Sequence, residues 1–174
     1  MRGRATGLSL FELLIIVAVA TAVGVAGLPA LGRAVASARI GAEINELHHA
    51  LHLARRESIL RNRYVVLCPT ADRLRCGDDW AAGWMLFFDT DRYRPPQSYY
   101  GEPLLRVGGT GNRVARMANR QAFVARTRRW RSTNGTFVIC DPAGRAAPKA
   151  LVVSYTGRPR TRAAVPAECL PPRD

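Results

Sequence analysis

Acidic side chains are scarce in this 174-residue chain: 13 Asp and Glu stand against 26 Lys and Arg, a formal charge of +13. The deficit is local. Residues 106–162 hold twelve Arg and Lys149 against a single carboxylate, Asp141, whereas residues 8–105 balance ten Arg against ten Asp and Glu. A GC-rich genome explains Arg in place of Lys, but not the loss of acids from one segment; a polyanionic partner explains that loss. Other absences exclude chemistry. No Cys-x-x-Cys pair is present, and His48 and His52, one helical turn apart beside His49, lack the Glu and the third ligand of a zinc helix, so they read as helix surface. The acidic residues Asp78, Asp79, Asp89 and Asp91 lack EF-hand spacing and read as structural. Gly108-Gly109-Thr110-Gly111 opens no helix and is a loop rather than a nucleotide fingerprint. No nucleophile stands with a base, and no internal repeat is present. The expectation is a protein that is not an enzyme and carries no cofactor and no metal.

What is there begins with an apolar run over residues 8–31, 24 residues that make a helix of about 36 Å, longer than a bilayer core of about 30 Å. Within it stands Glu12, a carboxylate that costs several kcal/mol in lipid unless paired. Arg2 and Arg4 form a short basic leader of the kind that stays cytoplasmic. A secretory signal would be cut after its apolar stretch, but here the candidate cleavage point, Gly7, precedes it, so the helix is retained. A simple single-pass anchor accounts for the apolar run but not for Glu12 or the short leader. Basic leader, Gly7, Leu8-Ser9-Leu10-Phe11-Glu12 and an unbroken apolar helix resemble the class III signal of type IV pilins and pseudopilins. The resemblance implies cleavage after Gly7 by a prepilin peptidase, methylation at Leu8, and pairing of Glu12 with the amino terminus of a neighbouring subunit in a filament.

Past Pro29 and Gly32 the pattern turns amphipathic: Ile40, Ile44, Leu47, Leu51 and Ala54 form one stripe on a helix that runs to about Arg61. Membrane and amphipathic helices form one rod, with Gly24, Gly27 and Pro29 as its weak points, sites either of unwinding on assembly or of a simple kink. Strand propensity follows at residues 64–68, 84–89, 104–107, 113–118, 122–130, 136–140 and 150–155, an antiparallel set by its short connections. Asn134-Gly135 suits a hairpin turn, Asp141-Pro142-Ala143-Gly144 a second turn, and residues 91–103 an irregular loop. Four cysteines beyond the inner membrane allow three pairings; the short Cys68 to Cys76 interval favours that staple, leaving Cys140 with Cys169.

Leu67-Cys68-Pro69, Cys76, Asp79-Trp80, Gly83-Trp84 through Phe87-Phe88-Asp89, Phe137-Val138-Ile139-Cys140-Asp141-Pro142, Leu151-Val152-Val153-Ser154 and Gly157-Arg158 are similar to the GspH/FimT family. That resemblance implies an α+β fold, a long amino-terminal helix packed on an antiparallel β-sandwich-like pseudopilin domain. It divides the chain into a leader (1–7), a transmembrane or filament-core helix (8–31), its amphipathic continuation (32–62) and a periplasmic or extracellular β domain with a basic tail (63–174). Family members are minor pseudopilins of type II secretion or minor pilins of type IV pili. In one branch a Gly-Arg-x-Arg tail takes part in DNA binding, and Gly157-Arg158-Pro159-Arg160, extended by Arg162, matches it. Guanidinium groups bind phosphate bidentately, Gly157 allows close approach and Pro159 limits tail entropy. Arg126, Arg128, Arg129 and Arg131 around Trp130, with Arg145 and Lys149, are the further candidates for a double-stranded DNA surface. The implied partners are other pilin or pseudopilin subunits, prepilin peptidase, DNA and the inner membrane. The implied location is single-pass in the bacterial inner membrane, domain in the periplasm, and then a filament. A secretion pseudopilin without DNA binding is the competing role; anionic lipid is a weaker partner, because the charge lies far in sequence from the membrane helix.

Overall fold

The computed structural model describes residues 9–90, 102–109, 111, 114–126 and 131–169. One helix, α1 (Leu10–Arg61), occupies 52 residues, about 78 Å at the usual rise, and is continuous through Gly24, Gly27 and Pro29. Its two halves differ in burial. Leu10, Phe11, Leu28 and Leu31 are among the apolar side chains left exposed, whereas Ile40, Ile44, Leu47, Leu51 and Ala54 are all buried. The apolar stripe is therefore the face laid on the β domain. In the exposed half, Thr21 returns its hydroxyl to the Val17 carbonyl at 2.9 Å, which satisfies a polar group in an otherwise apolar segment. Asn62 ends the helix in the left-handed conformation, φ 50°, one of the few such positions an Asn tolerates well.

Among the described residues eight strands follow: β1 (Tyr64–Pro69), β2 (Trp84–Asp89), β3 (Leu104–Gly108), β4 (Ala115–Ala118), β5 (Phe123–Ala125), β6 (Gly135–Cys140), β7 (Lys149–Val153) and β8 (Pro159–Ala163). They form two four-stranded sheets, in the orders β3-β2-β1-β5 and β4-β6-β7-β8. Every pairing among the described residues is antiparallel. One core cluster joins the helix stripe to both sheets through Leu67, Trp80, Trp84, Leu86, Phe123, Phe137, Ile139 and Leu151. At its centre Phe123 and Phe137 stack at 4.3 Å, with Trp80 edge-on to Phe137 at 4.8 Å. The Trp80 indole N–H donates to the Arg120 carbonyl at 2.9 Å, so the polar end of the ring is satisfied.

The structure departs from the sequence expectations in three places. Asn134-Gly135 is not a hairpin turn, because β5 and β6 lie in different sheets; Gly135 is instead packed, and a Cβ there would meet Asn119 Oδ1 at 2.6 Å and Phe123 at 2.9 Å. Strand β5 stops at Ala125, short of the expected 122–130, and residues 127–130 lie outside the described residues. The tail after the seventh strand is itself the edge strand β8, which a search for apolar alternation misses because its sequence is PRTRA. Most of the 91–103 loop also lies outside the described residues.

The Asp141 to Gly144 turn is present, closed by Gly144 N–H to Asp141 O at 2.9 Å. Disulfides join Cys68 to Cys76 and Cys140 to Cys169. The glycine-rich stretch is a cradle for a ring: a Cβ at Gly108 or Gly109 would strike Trp84.

Candidate functional site

The matched Gly-Arg-x-Arg segment is the second half of a hairpin between β7 and β8. Ser154 N–H donates to the Arg158 carbonyl at 3.1 Å and Gly157 N–H to the Ser154 carbonyl at 2.8 Å, which leaves a three-residue tip, Tyr155-Thr156-Gly157. Such a tip needs a left-handed residue at its last position, and Gly157 has φ +70°. A Cβ there would lie 3.2 Å from Ser132 Oγ and 3.7 Å from Arg55 Cδ. Gly157 is thus buried and serves the turn, which corrects the expectation that it opens the backbone to a ligand. Pro159 begins an edge strand, where a missing N–H is tolerated.

Strand alternation then sorts the cations. Arg160 and Arg162 stand opposite Val152 and Ala150, while Lys149 shares its face of β7 with the buried Leu151 and Val153. Lys149 therefore does not extend the patch that Arg160 begins. Arg162 is held by Glu168 through two bonds, of 2.5 and 3.1 Å, and this keeps the Glu168 carboxyl down at about 2. Arg145 grips Asp141 in the same forked manner, at 3.2 Å on both arms, with its backbone N–H adding a third bond at 2.8 Å. The side-chain bonds come first among the causes that lower the Asp141 pKa. The Arg145 pair braces the turn that follows Cys140, whereas the Arg162 pair ties the segment before Cys169 to β8 and so closes the carboxy-terminal segment on the domain.

Arg131, Arg158 and Arg160 are exposed, and among the described residues none has a carboxylate within ion-pair distance. Arg131 stands over the Tyr155 ring at 5.6 Å. Its place is fixed by Ser132, whose N–H donates to the Tyr155 carbonyl at 2.9 Å and whose Oγ accepts from Arg126 N–H at 3.1 Å. Arg126 itself turns toward the Tyr64 ring, 5.9 Å away. The hairpin tip thus brings together two of the three tail arginines, one member of the upstream cluster and an exposed tyrosine. Arg128 and Arg129 lie outside the described residues, as do Gly7 and Leu8. Glu12 stands exposed in the first turn of α1, far in sequence from the hairpin.

Two acid–base pairs that sequence reading did not find change the meaning of the segmental charge. Arg116 on β4 is buried and ion-paired with Glu43 of α1 at 3.2 Å; Arg106 on β3 faces Glu46 at 3.9 Å. Arg116 also donates to the carbonyls of Trp80 at 3.0 Å, Ala81 at 2.7 Å and Gly109. Burial raises the Glu43 pKa and outweighs the lowering by Arg116. The signal was present: an Arg inside a short strand pattern, Ala115–Ala118, and Glu residues on the flank of an apolar helix stripe. Helix acids from the neutral half of the sequence fold onto arginines of the basic half, so part of the segmental excess is cancelled in space.

Two crystal forms of the type IV minor pilin FimU from Pseudomonas aeruginosa (strain PAO1) share this fold. One has a TM-score of 0.52 at 18% identity, over 71% of this chain and 96% of that one. The other has a TM-score of 0.52 at 16% identity, over 72% and 92%. No curated protein sequence matches the chain. The family described as type II transport protein GspH matches residues 43–157, more than half of the chain, from the buried stripe of α1 to the tip of the β7–β8 hairpin. This chain belongs to the GspH family, proteins of the minor pilin and pseudopilin kind.

Proposed function

We propose that the chain is a minor subunit of a type IV pilus-type filament whose β7–β8 edge binds double-stranded DNA for uptake. The carrying observation is the group of exposed guanidiniums on Arg131, Arg158 and Arg160, none held by a carboxylate among the described residues, beside the exposed Tyr155. Phosphate contacts from such groups position a duplex without reading its sequence, so binding is general and salt-dependent. Arg128 and Arg129 belong to the same proposal by sequence. Arg145, Arg162 and Lys149 do not, being tied or turned away.

The amino-terminal half supplies assembly. α1 is long and apolar enough to cross a membrane, and its exposed residues from Leu10 to Leu31 give a surface for the helices of other subunits. In this proposal the precursor sits once in the inner membrane with its domain in the periplasm, prepilin peptidase cuts after Gly7, and Leu8 becomes the methylated terminus. Glu12 then pairs with the terminal amine of a neighbouring subunit. A second reading, a secretion pseudopilin without DNA binding, is favoured by the carboxylate partners of Arg145 and Arg162, which shrink the free basic surface.

The test is a titration of the chain in detergent micelles with duplex DNA over a range of salt, for wild type and Arg158→Ala/Arg160→Ala. Loss of two phosphate contacts lowers the logarithmic salt slope by about 1.8. Absence of binding at low salt overturns DNA uptake in favour of the secretion role.

A further inference from the structure

His48 and His52 occupy successive turns of α1, in the half of the helix that packs on the β domain, but they lie on its outer side; His52 is exposed and His48 half-buried. Their rings stack with centroids 4.7 Å apart and an angle of 27° between planes. Their Nε2 atoms approach to 2.9 Å. In the metal-free protein one imidazole donates to the other, so the lone pair of one nitrogen and the N–H of its partner point to the same place. A metal ion about 2.0–2.1 Å from both nitrogens stands off the line that joins them, so each ring turns to aim its lone pair at the ion while the helix keeps the pair in register. Metal–imidazole bonds of about 2.0–2.1 Å at a right angle put the two nitrogens about 2.9 Å apart, whereas a tetrahedral angle needs about 3.3 Å. The observed separation, set by the hydrogen bond in the metal-free protein, also matches the cis spacing of a square-planar or octahedral ion.

We propose that His48 and His52 form a bidentate site for a divalent transition-metal ion, copper first and nickel second. Imidazole donors bind both well, and copper stands at the head of the affinity order for such ligands. The helix holds both ligands in register, so binding loses little entropy to ordering them. Arg55 and Arg56 stand one helical turn beyond His52, and Arg56 is drawn to Glu57 at 3.5 Å. No third His, Cys, Asp or Glu joins the pair among the described residues, so the remaining coordination positions belong to solvent.

The experiment uses the full chain without an affinity tag in detergent micelles, titrated with copper(II), nickel(II) and zinc(II) salts. Heat of binding gives affinity and stoichiometry, and copper paramagnetic resonance counts nitrogen ligands. One copper per chain with two nitrogen ligands is expected, with affinities in the order copper, nickel, zinc. Loss of either chelating arm, in His48→Ala or His52→Ala, weakens binding about 100-fold, the scale of a lost intramolecular second contact. His49→Ala keeps wild-type affinity. Copper also raises the melting temperature of wild type and His49→Ala but not of the other two variants, whose unliganded circular dichroism reports folding. Wild-type affinity in His48→Ala/His52→Ala, an equal loss in His49→Ala, or zinc bound more tightly than copper each overturns the site.

Discussion

Replacing Arg116 by Met keeps the length and apolar stem of the side chain and removes its charge and its donors. Two buried carbonyls, of Trp80 and Gly109, and the part-buried one of Ala81 then lose a donor, and Glu43 loses its partner. Removing one member of a buried ion pair costs about 3–5 kcal/mol, and each buried acceptor left unmade about 1–3 kcal/mol. These terms do not add, because one relaxation serves them all. Protonation of Glu43 also limits the electrostatic part, since burial already raises its pKa. A total loss of about 4–6 kcal/mol is expected, a large share of the 5–15 kcal/mol typical of a domain. The assay is guanidinium unfolding of the detergent-solubilised chain followed by tryptophan fluorescence, since Trp80 and Trp84 are both buried. Adding Glu43→Gln to Arg116→Met removes the orphaned carboxylate and recovers part of the loss. A loss below about 1 kcal/mol, or a double variant less stable than Arg116→Met, refutes the view of Arg116 as the tie between α1, the Trp80 turn and β4.

The two disulfides differ in loop length, 29 residues of separation for Cys140–Cys169 and 8 for Cys68–Cys76. Paired Cys→Ala changes are expected to cost about 3.5 and 2.5 kcal/mol by loop entropy, with melting temperatures falling in that order. Acid should loosen the carboxy-terminal closure first. The Glu168 pKa falls from an ordinary 4.5 to about 2 on folding, and that of Asp141 is lowered as well. The unfolded chain therefore takes up protons that the folded chain refuses, and this contribution is complete above pH 4.5 and is lost as pH falls toward 2. The protection of β8 amides, taken relative to the intrinsic exchange rate at each pH, should fall across that window while that of β1 and β2 holds.

The apolar patterning made the helix stripe and most strands legible, because burial on one face imposes a period that composition cannot hide. Ile40 to Ala54 lies on the β domain for that reason, and Tyr64–Pro69 and Trp84–Asp89 pair with each other. What stayed hidden has no such period. Strand β8 is polar because it is an edge with an exposed side, and its place is set by the three-residue turn at Gly157. The Asn-Gly dipeptide misled because hairpin chemistry is local, while membership of a sheet is decided by the core that Phe123 and Phe137 share. Charge was least legible. A count along the chain records neither Glu43 meeting Arg116 nor Glu168 meeting Arg162, since ion pairing depends on the fold.

The same distinction separates two arginines two residues apart on β8. Arg160 is exposed and holds no carboxylate among the described residues; Arg162 is held by both Glu168 oxygens. If DNA binds this edge, Arg160 can give a phosphate contact at no internal cost. Arg162 must first leave Glu168, whose own charge then repels the phosphate. Arg160→Ala should lower the logarithmic salt slope for DNA by about 0.9 and leave the melting temperature unchanged. Arg162→Ala should leave the slope unchanged and lower the resistance of the carboxy-terminal segment to proteolysis, because Glu168 loses its only ion-pair partner among the described residues. Equal effects of the two substitutions on the salt slope would mean that Glu168 gives way to DNA, and that the carboxy-terminal closure opens on binding.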